Sequence, residues 1–219
     1  MARLLFEKTG NAVWISHLDL MRLFQRAFKR AQLPLTHTQG FNPRPSVSIA
    51  LPLSVGVESH CELLDFHLDG VTEFTPAQIK ERLNAALTDG VRVLDVYTEG
   101  RKIRDLALLH CQLDLIFDRE VPANATDDII ALFAQDSLLV EKKTKSGLQE
   151  QNIIPMIRKL DIFPCEKGIR MEALICCQNP TLNPAQLSQA ICKYLPDFTP
   201  DATECRRIEI YDVKEQIFR

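Results

Sequence analysis

The 219-residue sequence has one tryptophan and three tyrosines, and no apolar run approaches the ~18 residues that a membrane-spanning helix needs. A helical membrane protein is therefore excluded. The opening MARLLFEK lacks the charged, apolar and small-residue succession of a secretory signal, so a cytoplasmic chain is expected. Cysteine is present seven times, but with no CxxC, with Cys176 and Cys177 adjacent, and in an odd number at no framework spacing. This pattern speaks against a disulfide scaffold and against a zinc or iron–sulfur site made from these thiols alone. No cofactor and no metal are expected. Neither sign of charge dominates, with 26 Lys and Arg against 29 Asp and Glu and a net charge of −3. General coating of nucleic acid is thus disfavoured. Yet residues 1–60 carry seven Lys/Arg against three Asp/Glu, a balance of +4, which leaves −7 for the rest. One concentrated basic surface suits local binding of an anion.

At 46% hydrophobic the chain can bury a substantial core, and its length accommodates two domains of about a hundred residues. In the first half, residues 3–8 read as a strand, 9–11 as a turn, 12–15 as a second extended piece, then come a basic helix and a strand over 46–53. Alternation over 63–68 gives another strand. Thr75 and Pro76 open a helix that Gly90 terminates, and 91–96 close with a strand. The second half repeats this order with a long strand over 107–117, a helix capped by Thr126, an extended piece over 138–144, an irregular run over 145–164, a strand over 170–177, a helix opened by Asn183 and Pro184, and a last strand over 206–213. The expectation is an α+β fold of two tandem ferredoxin-like βαββαβ domains, residues 1–101 and 102–219, with antiparallel sheets and helices on one face.

Most of the functional vocabulary lies in residues 14–45, WISHLDLMRLFQRAFKRAQLPLTHTQGFNPRP. Ser16 with Asp19 three residues later is a short-acid capping box, so a helix starts there. Leu20, Met21, Phe24, Ala27, Phe28 and Ala31 make one apolar stripe, and Arg22, Arg26, Lys29 and Arg30 recur on another face. Pro34 ends the helix by about Leu33. The loop that follows sets His37, Gln39, Gly40, Phe41, Asn42 and Arg44 within a few residues, with Gly40 permitting positive φ and prolines stiffening the exit. Cations that hold a phosphate backbone and an aromatic that stacks on a base make this pattern an RNA-binding candidate. The opposing reading is a solvated helix face followed by a rigid connection.

The run SHLDLMR, the basic helix ending in KRA, and QGFNPRP followed by LPL and VGVES resemble the radical-SAM-linked bacterial domain of unknown function, over residues 3 to about 100 most closely. One departure is Arg44, where that family is expected to carry a histidine. The resemblance implies a functional link to a separate radical S-adenosylmethionine (SAM) enzyme and to RNA metabolism, and carries no established activity. Tandem ferredoxin-like domains are also similar to the endoribonucleases that process CRISPR transcripts. In that case His17, at the start of the basic helix, is the acid–base candidate, with His37 as a second imidazole.

Several residues carry competing readings. Trp14, between Val13 and Ile15, is expected in the core. Phe41 is either a stacking platform or a plug into its own domain. His60 and His67 with Glu58, Glu62 and Asp65 could ligate a metal, but on alternating strand positions they read as solvated edge residues. Lys142, Lys143 and Lys145 form a basic tip that is read as a solvated hairpin end. The three function classes left open are an RNA-binding or substrate-presenting accessory protein, an RNA-processing enzyme and a protein-interaction adaptor.

Overall fold

The strand β1 (Ala2–Lys8, ARLLFEK) puts Leu4 and Phe6 on one side and Arg3 and Leu5 on the other, and in the computed structural model of the chain both sides are buried. The structure describes residues 1–70, 73–144 and 147–219. It divides into two units, Met1–Asp105 with Ile217–Arg219, and Leu106–Gln216. The chain is α+β, with antiparallel sheets and, among the described residues, four α-helices.

In the first unit β1 pairs with β3 (Glu58–Phe66) and β4 (Val91–Tyr97), and the short β2 (Val47–Ile49) pairs with β3, giving the order β4-β1-β3-β2. The helices α1 (His17–Arg30) and α2 (Pro76–Ala86) are intercalated after β1 and β3. Their apolar stripes meet Leu4, Phe6, Leu64, Phe66, Val93 and Val96 in one core, where the Phe6 and Phe24 rings stand edge to face at 4.7 Å. Thr75 caps α2 with Pro76 in its first turn, as the sequence predicts, and Gln78 completes a capping box that the sequence reading did not include.

The opposite face of this sheet is held by charge. Arg3 and Asp65 stand directly across from each other in the β1/β3 register, and the Arg3 guanidinium makes two parallel bonds to the carboxylate at 2.6 and 3.0 Å. The Phe218 ring lies over the guanidinium at 5.5 Å, and Gly100 approaches so closely that a Cβ there would meet Arg3 Cζ at 2.6 Å. Burial of Phe218 explains why the last three residues belong to the first unit, rather than to a second domain running to 219.

In the second unit β5 (Leu106–Ile116) lies between β9 (Gly168–Cys176) and β10 (Ala202–Asp212), and β8 (Ile157–Cys165) pairs with β9, for an order of β10-β5-β9-β8. The helices α3 (Ala125–Phe133) and α4 (Ala185–Tyr194) follow β5 and β9, and β6 (Leu139–Thr144) with β7 (Gly147–Asn152) forms a separate hairpin. Alternate residues Leu109, Cys111, Leu113 and Leu115 of β5 are fully withdrawn from solvent.

Four expectations need correction. Residues 12–15 are not extended: a 3-10 helix spans Gly10–Trp14, with Gly90 so close to Thr9 O that no side chain would fit there. The strand foreseen over 46–53 stops at Ile49, because Leu51 takes φ +47° and Pro52 has no N–H for a ladder. The run 145–164 is not irregular but holds β7 and β8, neither of which shows clean alternation. β7 is a polar hairpin strand, and β8 shifts register between Ile157 and Lys159. Finally α3 starts at Ala125, after Asn124, not at a Thr126 cap. Lys145 of the basic tip lies outside the described residues.

Breaking the Arg3–Asp65 pair from one side leaves a buried charge uncompensated. Asp65→Ala should lower unfolding free energy by about 3–5 kcal/mol in urea titrations, and Arg3→Met with Asp65→Leu together should recover most of it. Equal loss in the single and double variants would contradict this account.

Candidate functional site

The helix α1 begins where its cap is satisfied. Ser16 Oγ accepts from the Asp19 N–H at 3.2 Å and donates to Asp19 Oδ2 at 2.8 Å, while Arg22 Nη1 donates to Asp19 Oδ1 at 3.0 Å. The Ser16 hydroxyl, and after it Arg22, hold the Asp19 carboxyl below its ordinary value of 3.8. At 100° per residue Arg22, Arg26 and Lys29 fall within about 60° of one another, and Arg30 about 80° from Arg22. All four are exposed. They differ in what engages them, since Arg22 is paired with Asp19 and Arg30 donates to Ala86 O at 2.5 Å, at the end of α2. Arg26 and Lys29 have no side-chain hydrogen bond or ion pair among the described residues.

His17 lies elsewhere. It sits about 140° around the helix from Arg22, on the side of Leu20, Phe24 and Phe28, and its Nδ1 is buried with no hydrogen-bond partner among the described residues. The stripe and this imidazole are therefore not brought together, because adjacency in sequence at a helix start does not mean adjacency in azimuth.

The exit from α1 is tightly specified. Gln32 adopts φ +55° and the Leu33 N–H returns to Phe28 O at 2.9 Å, a Schellman closure that aims the chain across the end of β3. There the Thr36 N–H donates to His67 O at 2.9 Å and the Asp69 N–H to Pro34 O at 3.0 Å. The loop then doubles back: Ser46 N–H to Thr36 O at 2.8 Å, Thr38 N–H to Arg44 O at 2.8 Å, and Arg44 N–H to Thr38 Oγ1 at 3.0 Å. Gly40 takes φ +135° at the tip, as its position foretells. Next to it Phe41 is fully exposed, so it is not a plug into its own domain. Gln39, Asn42 and Arg44 are exposed with it.

Between helix and loop base lies an open cleft of about 740 Å³, where Lys29 and His37 of the predicted residues meet Gln25, Thr36 and Asp69 over an apolar lining of Leu33, Leu35 and Pro45. Sequence reasoning missed this lining. Its only signal was LPL, an apolar triplet between a basic helix and a polar loop.

Trp14 is a correction. Expected in the core, it is 69% exposed, because the three-residue turn of the 3-10 helix carries Ala12 inward and Trp14 outward, with Gly56 beneath the ring. Of the residues weighed as metal ligands, Asp65 is engaged by Arg3, Glu62 by Ser59 at 2.7 Å and His60 by Glu7 at 3.3 Å. Among the described residues no three His, Cys, Asp or Glu side chains are grouped to hold a metal. Burial also pushes the Cys177 thiol up to about 12 and Cys205 to about 11, away from thiolate chemistry. In the second unit a cleft of about 310 Å³, unforeseen from sequence, is lined by His110, Asp161, Glu172 and Tyr211, with Lys159 bonded to Glu215 at 2.6 Å.

Because the folded-state pKa of Asp19 is depressed, its contribution to stability is present above the unfolded value and is lost as pH falls through the folded one. The thermal midpoint of Asp19→Asn should lie below wild type at pH 7, and the gap should close below about pH 3. A gap independent of pH would overturn the cap assignment.

No curated protein matches the chain. Among solved structures, a chain of "Crystal Structure of a Cbf5-Nop10-Gar1 Complex" is similar in fold, with a TM-score of 0.50 at 8% identity, over 95% of this chain. This chain spans 48% of that one. An unknown protein from Galdieria sulphuraria aligns over 94% of this chain and 96% of its own, at 11% identity and a TM-score of only 0.26. A family model described as "Uncharacterized protein conserved in bacteria (DUF2344)" matches residues 2–184, and the chain belongs to that family.

Proposed function

We propose that this protein is an RNA-binding or substrate-presenting accessory module without its own cofactor, built from two ferredoxin-like units and acting in the cytoplasm beside a separate radical SAM enzyme. The observation that carries the binding part is convergence: Lys29 from α1 and His37 from the loop line one cleft, with Arg26 and Arg44 exposed on the same two segments. Charge at the surface contributes little to folding but much to holding a phosphate chain. The strand orders β4-β1-β3-β2 and β10-β5-β9-β8, each with two intervening helices, support the ferredoxin-like reading. Partnership with a radical enzyme rests on the resemblance of SHLDLMR and QGFNPRP alone. An endoribonuclease reading has less support, since His17 faces away from the cations. A pure adaptor would present the same cations to an acidic protein.

Arg26→Gln with Lys29→Gln is the informative pair, because Arg30 also braces the end of α2. The double variant should bind single-stranded RNA about tenfold more weakly at 150 mM salt. The slope of log affinity against log salt should flatten by about 1.4, while the thermal midpoint stays unchanged. Wild-type protein without salt-dependent affinity for any RNA pool would sink the reading and point to an acidic protein partner.

A further inference from the structure

We infer that the RNA taken by this site is single-stranded, with one base seated in the cleft between α1 and the loop, and the strand running along α1 towards Trp14; the inference rests on the RNA reading above. Three observations lead there. The exposed lining of the cleft is mainly apolar, from Leu33, Pro34, Leu35 and Pro45, with Lys29 as its one Lys or Arg and Gln25, Thr36, His37 and Asp69 as its other polar members. A phosphate alone has no use for such a lining, and a duplex keeps the faces of its bases stacked inside. Only an unpaired base offers a flat apolar face together with a phosphate.

The second observation is Phe41. Its ring is fully exposed, so it contributes nothing to the fold's own core, yet the loop beneath it is clamped by two bonds between Thr38 and Arg44. An exposed aromatic on a loop tied at its base, with the exposed Arg44 three residues on, is suited to stack on a base at reduced ordering cost. The third is the far end of the same stripe. Trp14 and Leu18 are 69% and 67% exposed, and Leu18, Arg22, Arg26 and Lys29 follow at three- and four-residue steps along α1. The helix is about 21 Å long, so its cationic track is long enough for several nucleotides, with Trp14 before it in the chain and Phe41 after it. Stacking and backbone contacts predict weak dependence on base sequence.

Trp14 is the chain's only tryptophan, which makes it a native reporter. The full chain should be titrated with a 12-nucleotide unstructured RNA and with a duplex of the same length, following Trp14 emission and the anisotropy of a labelled strand. The single strand should bind at least tenfold tighter than the duplex and quench Trp14. Phe41→Ala, whose folding is checked by its melt, should lose about tenfold affinity for the single strand with the salt slope unchanged. Equal affinity for duplex and single strand, an unaltered Phe41→Ala, or unquenched Trp14 would overturn this inference while leaving RNA binding in place. Failure of both RNAs to bind would remove the inference and the RNA reading together.

Discussion

Arg3 and Asp65 cannot be buried separately, and the rest of the first unit is arranged around that constraint. A lone guanidinium or carboxylate at this depth would cost several kcal/mol, so β1 and β3 are locked in the register that sets them opposite each other. A slip of one residue would turn Leu4, Phe6, Leu64 and Phe66 out of the helical core as well. Register in turn fixes the end of β3, where the backbone of His67 and Asp69 holds the segment leaving α1. The position of Lys29 relative to His37 is therefore set through backbone bonds that start at a buried ion pair about thirty residues away in sequence.

The cations of α1 are not equivalent, although they share a stripe. Arg22 answers Asp19 at the helix start and Arg30 answers the last carbonyls of α2, so these two organise helix ends. Arg26 and Lys29 lie between them without such engagement among the described residues, and Arg44 faces water from the loop. A net charge of −3 for the whole chain leaves this small basic surface as a local exception, screened from distant charges within about 8–10 Å at physiological salt. Any recognition it performs is short-range, which favours a ligand that reaches into the cleft over one attracted from afar.

Much of this was legible in the sequence. Ser16 and Asp19, the two stripes of α1, the Thr75 cap with Pro76 and the glycine at the loop tip are local signals, and local physics decides them. What was not legible depended on longer-range geometry. Trp14 was assigned to the core by its apolar neighbours, but the 3-10 turn that exposes it requires the contact between Gly90 and Thr9, some eighty residues apart. β7 and β8 were read as irregular because one pairs as a polar hairpin and the other carries a register shift, both of which erase period-two alternation. Linear proximity sets His17 beside the cations, but the helical azimuth separates them. The apolar lining of the cleft was hidden because Leu33 and Leu35 looked like helix-end and connection residues, and Pro45 belongs to the far side of the loop.

The proposed reading prefers binding to chemistry for a geometric reason. General acid–base catalysis needs a donor and an acceptor within about 2.6–3.2 Å of the reacting atoms and an orienting partner behind at least one of them. His37 shares the cleft with Asp69 but shows no side-chain hydrogen bond to it among the described residues, and His17 is turned into the apolar side of α1. Hydrogen bonds at the loop base join backbone to backbone, Thr38 to Arg44, and the Thr36 hydroxyl to His67 O, and they fix where groups are presented. A surface built to hold its loop rigid, to leave Phe41 in water and to keep two cations unengaged is prepared for a ligand that supplies both a flat face and a charge. Under the proposed reading, a partner enzyme would act on that ligand from the solvent side of the same loop.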